Sequence, residues 1–136
     1  MPGTTTHDSL RSPPPAELVL RLWPRPSSCG QARHAVRTFC FAHSLQELAD
    51  DAELLTSELV TNAIEHAGTL ITVVAVCEHG ELIVNVRDDG AAAAPIVGLA
   101  MPDAESGRGL HLVEGIAGRW GTAFHGEGKS VWFRLP

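Results

Sequence analysis

The sequence predicts an α+β domain, a two-layer sandwich in which a mostly antiparallel mixed sheet is covered on one face by three helices. Two observations predict this class. Segments with apolar residues at helical spacing precede and separate segments with strand-like alternation, and the strands come in pairs joined by short glycine-containing turns. The chain has 136 residues, of which 44% are hydrophobic and 19% charged, so it can bury one core without disulfide or metal support.

The individual elements are predicted from local patterns in chain order. Alternating polar and apolar residues indicate strands, and apolar residues three to four positions apart indicate helices. The elements are a strand over 17–23, a helix that begins after a cap at Ser27 or Ser28, a helix over 46–67 ended by Gly68, strands over 70–77 and 81–88 joined by a turn at His79 and Gly80, a long connection over 89–106, a helix over 109–117, and strands over 120–125 and 129–135. Residues 1–15 are polar, end in three prolines, and are predicted to form a flexible tail before a domain over 16–136.

Composition and charge exclude several classes of protein. Ten Lys and Arg against sixteen Asp and Glu give a net charge of −6, which argues against direct binding of nucleic acid. The apolar runs are too short to span a bilayer, and residues 1–15 lack the pattern of a signal peptide, so we expect a cytoplasmic protein without membrane association. The three cysteines are widely spaced and the seven histidines form no ligand motif, so reduced thiols are expected and a metal site held by protein side chains alone is not.

The longest predicted helix carries Glu58, Asn62 and His66 at spacings of four, so their side chains share one polar stripe beside the apolar seam of the helix. A carboxylate can accept a proton, and an amide oxygen can ligate a hydrated Mg²⁺ that carries phosphates. The same pattern is also common on a solvent-exposed helix face. The residues alone leave both interpretations open.

Asp88 lies at the end of a predicted strand, two positions beyond Val86 and on the same face as Leu82 and Val84. These apolar residues must face the helices, so Asp88 is predicted to face them as well. An acid in that position needs a donor or a ligand, and the amino group of a nucleotide base would suit it. The alternative is an Asp-Gly turn that simply ends the strand.

Gly107, Arg108, Gly109 and Leu110 lie where the long connection meets the start of the predicted helix. Glycines let the backbone approach an anion closely, and the free N–H groups at the start of a helix point towards it. Glycine is also routine at helix starts, and Arg108 can either pair with a phosphate or be solvated. The glycine-rich segment 126–130 is most simply a hairpin turn.

Taken in order, these segments resemble a known superfamily. ELVTNAIEHA resembles the N-box, VRDDG the first glycine box and SGRGL the second glycine box of the GHKL (Bergerat) ATP-binding fold, to which gyrase, the heat-shock chaperone ATPases, histidine kinases and the mismatch-repair ATPases belong. The similarity covers about residues 17–135. The segment from Gly128 to Phe133 is similar to the last segment of one branch, the small anti-sigma factors with serine/threonine kinase activity.

The resemblance implies a role for each residue that matches a box. In these roles Glu58 is the general base, Asn62 the ligand of the Mg²⁺ bound to the ATP phosphates, Asp88 the carboxylate that binds the adenine amino group, Gly90 the residue beneath adenine, and Gly107 and Gly109 the hinges of the lid over the phosphates. The further candidates for nucleotide binding are His66, Arg108, Leu110, Lys129 and Ser130, and the resemblance does not fix the roles of His66 and Arg108.

Two features depart from the pattern of that superfamily. The first glycine box usually ends in a second glycine, but here Ala92 stands in that place within four consecutive alanines. Alanine disfavours the positive φ that glycine allows. The segment 90–107, which corresponds to the lid, is also short and almost uncharged. Both departures bear on nucleotide affinity and on catalysis.

The resemblance therefore implies a cytoplasmic serine/threonine protein kinase that uses ATP and Mg²⁺ and acts as an anti-sigma factor. Its partners would be a sigma factor and an antagonist protein that it phosphorylates, and it could form a homodimer. The alternative is a non-catalytic ATP-binding interaction module whose nucleotide state sets its affinity for partners. A third interpretation is an α+β domain that no longer binds ATP.

Overall fold

A computed structural model describes residues 16–66, 68–89, 116–125 and 128–136 of the chain. These residues form five strands, two α-helices and one 3₁₀ turn. The elements are β1 (Ala16–Leu22), α1 (Ser27–Ala42), the 3₁₀ turn (Gln46–Leu48), α2 (Ala49–His66), β2 (Ile71–Glu78), β3 (Glu81–Asp88), β4 (Arg119–His125) and β5 (Gly128–Leu135). Each of these strands begins and ends within one residue of its prediction.

The five strands form one sheet in the order β1-β2-β3-β5-β4. The predicted α+β fold is confirmed, with one correction to the sheet. All four strand pairs that the structure describes are antiparallel, so the described sheet is not mixed. The reason lies in the connections. Two hairpins join neighbouring strands directly, and the helix pair α1–α2 returns the chain to the end at which β1 finished, so that Leu22 pairs with Ile71.

Several predictions fall on residues that the structure does not describe. They are the tail over 1–15, most of the long connection, and the third helix, of which only Ile116, which is helical, and Ala117 are described. The described part of the chain therefore shows two α-helices on the sheet. Neither of them combines the length and the apolar character that a membrane crossing requires.

The start of α1 differs from the prediction that a serine hydroxyl caps it. Pro26 occupies the cap position, and no side-chain cap hydrogen bond is formed there. The buried hydroxyl of Ser28 instead donates to the backbone carbonyl of Trp23 in the preceding loop. Pro26 fits the start of a helix because its φ is already near the helical value and an N–H is not needed there.

The end of α2 is as predicted. Gly68 follows the helix with φ +69°, and its amide donates to the carbonyl of Ala63 at 3.4 Å. This left-handed residue stops the helix while pairing one of its last carbonyls. At the other end of α2, Arg37 of α1 contacts Asp50 at 3.0 Å and Glu53 at 2.5 Å, so one guanidinium joins the two helices.

The two faces of the sheet have different environments. The face against the helices carries the alternate residues Ile71, Val73 and Ala75 of β2 and Leu82, Val84 and Val86 of β3, all buried in the core with Val36, Leu55 and Leu59 of the helices. The opposite face holds an open groove of about 560 Å³. Its lining residues are Arg21, Leu70, Thr72, Val74, Val76, Ile83, Asn85, Arg87, Asp89 and Ser130.

Candidate functional site

Asp88 ends β3 on the helix-facing side of the sheet, as the alternation of its strand predicted. Only 2% of the residue is exposed, and it continues the row of buried residues that includes Val84 and Val86. Its register partners are Ile71 on β2 and Lys129 on β5. A buried carboxylate is tolerated only beside donors or cations, so this end of the sheet is a polar site in an otherwise apolar layer.

Lys129 provides the opposite charge at the same level of the sheet. It lies directly across from Asp88 in the β3–β5 pair and is 5% exposed. Burial lowers the pKa of the Lys129 ammonium, and the charge of Asp88 acts in the opposite direction by raising it. The two side chains thus form an acceptor and a donor side by side at the end of the core.

Gly128 allows β5 to approach Asp88 this closely. A Cβ atom at Gly128 would lie 2.3 Å from the carbonyl oxygen of Asp88 and 3.3 Å from the Cα of Asp89. The sequence pattern favoured a turn here, but Gly128 is the first residue of β5. The available signal in the sequence was a glycine directly before a lysine. Only the pairing of β5 with β3 shows why glycine is needed there.

Asp89 and Ser130 point away from this site because side chains alternate between the two faces of a strand. Asp89 is 57% exposed, its carboxylate lies 3.7 Å from Arg87, and its amide donates to the hydroxyl of Thr69 at 3.0 Å. Ser130 pairs with Arg87 and lines the groove on the opposite face. The structure therefore does not bring the Ser130 side chain together with Asp88 and Lys129, although both serine and lysine were assigned to one set from the sequence.

Glu58, Asn62 and His66 lie on α2 at spacings of four, and all three are partly buried. The helix packs mainly against α1, and among the strands it makes most of its contacts with β3, the strand that ends in Asp88. Since α2 ends at His66 and β2 begins at Ile71, the register partner of Asp88, the C-terminal half of α2 is at the Asp88 end of the sheet. The predicted polar stripe and the buried Asp88–Lys129 pair therefore belong to the same end of the molecule.

Phe124 is a residue at this end that the sequence analysis did not select. It lies on β4 opposite Lys129, on the same face of the sheet, and is 53% exposed. A single exposed apolar side chain is ordinary on a protein surface, so Phe124 is noted for its position beside Lys129 alone. The alternation of side chains along β4 could have indicated the face of the sheet on which Phe124 lies, but not that its side chain is exposed.

The remaining predicted residues, Gly90, Gly107, Arg108, Gly109 and Leu110, lie outside the described residues. Within the described ones, no group of three or more His, Cys, Asp or Glu is placed to hold a metal ion. The oxygen donors Glu58 and Asn62 suit a hard cation that keeps water or phosphate oxygens as its other ligands. Such a site would be completed by a bound anion.

Comparison with known proteins yields one matching family and several solved structures of similar fold, among them the two that follow. Residues 22–135 match the model of a family described as a histidine kinase-like ATPase domain. The structure of the RsbU and RsbW domains of Rv1364c from Mycobacterium tuberculosis is 20% identical with a TM-score of 0.64, and the match covers 90% of this chain and 32% of that one. The histidine kinase domain of the blue-light activated histidine kinase EL346 from Erythrobacter litoralis is 20% identical with a TM-score of 0.53, over 81% of this chain and 59% of that one.

The chain thus spans about a third of the first of these structures and less than two thirds of the second. No curated protein sequence matches it significantly.

Proposed function

The chain belongs to the histidine kinase-like ATPase domain family, whose model matches residues 22–135, and on that premise we propose that it is an ATP- and Mg²⁺-dependent serine/threonine protein kinase that acts as an anti-sigma factor. Membership of an ATPase-domain family implies that the nucleotide is ATP. The observation that carries the proposal is the buried carboxylate of Asp88, which lies at the end of β3 on the side of α2.

Asp88 would bind the base of the nucleotide. Its carboxylate accepts hydrogen bonds only, so it selects a base that presents an amino group, as adenine does. Burial makes the interaction specific, because a base without that amino group would place an acceptor or an apolar edge against a buried carboxylate, which is unfavourable. The base would therefore enter the site beside the end of β3.

Glu58 and Asn62 would act at the other end of the nucleotide. The amide oxygen of Asn62 would ligate Mg²⁺, which when bound neutralises charge on the phosphates. Glu58 would accept the proton of a serine or threonine hydroxyl as its oxygen bonds to the γ-phosphorus and the bond from that phosphorus to the bridging oxygen of ADP breaks. One turn of helix between the two residues matches these two neighbouring tasks.

The proposed partners are a sigma factor and an antagonist protein that carries the phosphorylated serine or threonine. The sequence resemblance to the anti-sigma kinases supports this assignment, as does the structural similarity to a chain that contains an RsbW domain. The sequence resemblance also implies a location in the cytoplasm, where ATP and sigma factors are found, and is compatible with a homodimer. Analytical ultracentrifugation of the purified chain measures the oligomeric state.

Calorimetric titration with ATP and Mg²⁺ tests the nucleotide site. We expect wild type to bind and Asp88→Ala to lose binding by at least about 100-fold, because the variant removes the acceptor for the base. Asp89→Ala is the matched control, since it removes the adjacent acid from the opposite face of the sheet and should bind as wild type does. Equal binding by all three proteins would contradict the assignment of Asp88.

Transfer of label from γ-³²P-ATP to a co-purified protein tests the kinase activity. Glu58→Ala should still bind ATP but should lose transfer by about 100-fold or more, the range for removal of a general base. The alternative, a non-catalytic module, is favoured by Ala92 in the alanine-rich segment. It would be supported if wild type and Glu58→Ala both bound ATP and transferred equally little label.

A further inference from the structure

The phosphoryl transfer proposed above does not use Lys129, the buried lysine opposite Asp88. We propose that Lys129 binds the base directly, donating a hydrogen bond to the ring nitrogen N1 of adenine while Asp88 accepts one from the neighbouring 6-amino group. This inference rests on the proposed nucleotide site and specifies how that site recognises its base. It would make Lys129 a determinant of base specificity.

The register of the sheet brings the two groups together. Asp88 and Lys129 are direct partners in an antiparallel pair, where the Cα atoms of opposite residues are about 4.5–5.5 Å apart. Both side chains are on the helix-facing side, and both residues are nearly completely buried. The close approach of β5 at Gly128 keeps the two strands at this spacing.

The chemistry of the pair matches one edge of adenine. Lys129 can only donate and the ionised Asp88 can only accept, so the pair presents one donor beside one acceptor. Adenine presents the complement, an amino donor next to the acceptor N1. N1 lies on the opposite side of the ring system from the atom that carries the ribose. This edge of adenine therefore points into the site when the phosphates lie at its opening.

The burial of Lys129 is also relevant to a ligand at this site. Lysine is among the residue types that are almost never fully buried unless paired, and Asp88 on β3 supplies the opposite charge here. The next helix-facing residues of β5 are Val131 and Phe133, which are both apolar. An apolar side chain at position 129 would continue this apolar row. An ammonium has three N–H donors, so a ligand acceptor can take one of them in addition to the contact that Asp88 provides.

A cycle of two nucleotides and two proteins tests the contact. The Kd values of ATP and 1-deaza-ATP, in which N1 is replaced by a C–H group, are measured with Mg²⁺ for wild type and for Lys129→Met. For wild type we expect 1-deaza-ATP to bind about 10- to 100-fold more weakly than ATP, the range for a charge-assisted hydrogen bond. Lys129→Met should bind ATP about as weakly and should not distinguish the two nucleotides.

The other outcomes overturn the inference in distinguishable ways. An equal penalty for 1-deaza-ATP in both proteins would show that Lys129 does not contact N1. A variant that keeps this penalty but loses the preference for ATP over ADP would place the lysine on the γ-phosphate instead. Failure of wild type to bind ATP would overturn the proposed function together with this inference. Two measurements show that Lys129→Met is folded. They are its thermal unfolding and an affinity for 1-deaza-ATP equal to that of wild type.

Discussion

At the scale of single residues, the site depends on a few polar atoms that lie where a core ordinarily contains apolar side chains. Asp88 ends β3 and Lys129 lies at the start of the adjacent strand β5, and the other helix-facing residues of both strands are apolar. Gly128 contributes by having no side chain, since any Cβ there would collide with the backbone of Asp88. The position of the carboxylate is therefore set by backbone packing as much as by its own strand.

Gly128→Ala should reduce both stability and ATP binding. The added methyl group would lie 2.3 Å from a backbone oxygen, so β5 must shift away from β3. We expect a loss of about 1–3 kcal/mol in the free energy of unfolding, the usual range for overpacking, together with weaker binding. Urea denaturation and calorimetry measure the two effects.

Gly30→Ala is the control for this substitution. Gly30 lies within α1, and the nearest atom to its added Cβ would be an Arg33 nitrogen at 3.7 Å, which is ordinary contact. Alanine in a helix is favoured over glycine by about 0.5–1 kcal/mol, so this variant should be more stable than wild type and should bind ATP normally. Similar losses in both variants would contradict a specific role for Gly128.

Cys40 gives a prediction about pH. Burial in the core and, to a smaller extent, the nearby Cys77 thiol raise the pKa of Cys40 to about 11 from its ordinary value of 9.0. Between these values the unfolded chain loses the proton and the folded chain keeps it, so stability should fall as pH rises from about 9 to about 11. Urea denaturation at pH 8 and pH 10 measures the decrease. Cys40→Val should show a smaller one, and equal decreases in both proteins would exclude Cys40 as the cause.

At the scale of elements, local sequence predicted the strands well because short runs of alternating or β-branched residues are bounded by turn residues. The turn at His79 and Gly80 was predictable for the same local reason, and both residues have positive φ, 55° and 77°. The cap of α1 was predicted wrongly, because Ser27 and Ser28 are both good cap residues and only the loop conformation places Pro26 in the cap position. The sequence did not distinguish the 3₁₀ turn from α2, because apolar residues three to four positions apart fit both kinds of helix.

Substitutions in the β2–β3 turn should change stability in opposite directions. A turn with positive φ at both central residues prefers Asn followed by Gly, so His79→Asn should stabilise the hairpin slightly. Gly80→Ala should destabilise it by about 1 kcal/mol or more, because alanine has a Cβ that the left-handed region disfavours. Thermal unfolding compares the two variants, and a loss of stability in His79→Asn would contradict this account of the turn.

At the scale of the whole molecule, the helices cover one face of the sheet and the proposed site lies at one end of that layer. The sequence predicted that Asp88 faces the helices, because the apolar residues of β3 fix the face. It did not predict that Lys129 would lie opposite Asp88 or that Ser130 would lie on the other face. Those facts depend on the register between β3 and β5, which are separated by 39 residues along the chain, and local patterns carry no information on such pairing.

Nucleotide binding should stabilise the whole fold. A ligand that binds only the folded state adds RT ln(1 + [L]/Kd), about 2.7 kcal/mol at a concentration 100 times Kd. ATP with Mg²⁺ should therefore raise the Tm of wild type by several degrees and leave that of Asp88→Ala unchanged. A rise of the same size in the variant would indicate binding elsewhere on the chain.

The adjacent acids at the end of β3 have a consequence for insertions and deletions in this segment. Asp88 is buried on one face and Asp89 is exposed on the other. Deletion of Arg87 alone would move the Asp89 side chain to the inner face, opposite Lys129, and so would retain a carboxylate there. Insertion of one residue between Arg87 and Asp88 would place the inserted side chain at that position and turn Asp88 outward. Chains that differ in length at this point should therefore tolerate the loss of one residue better than the gain of one.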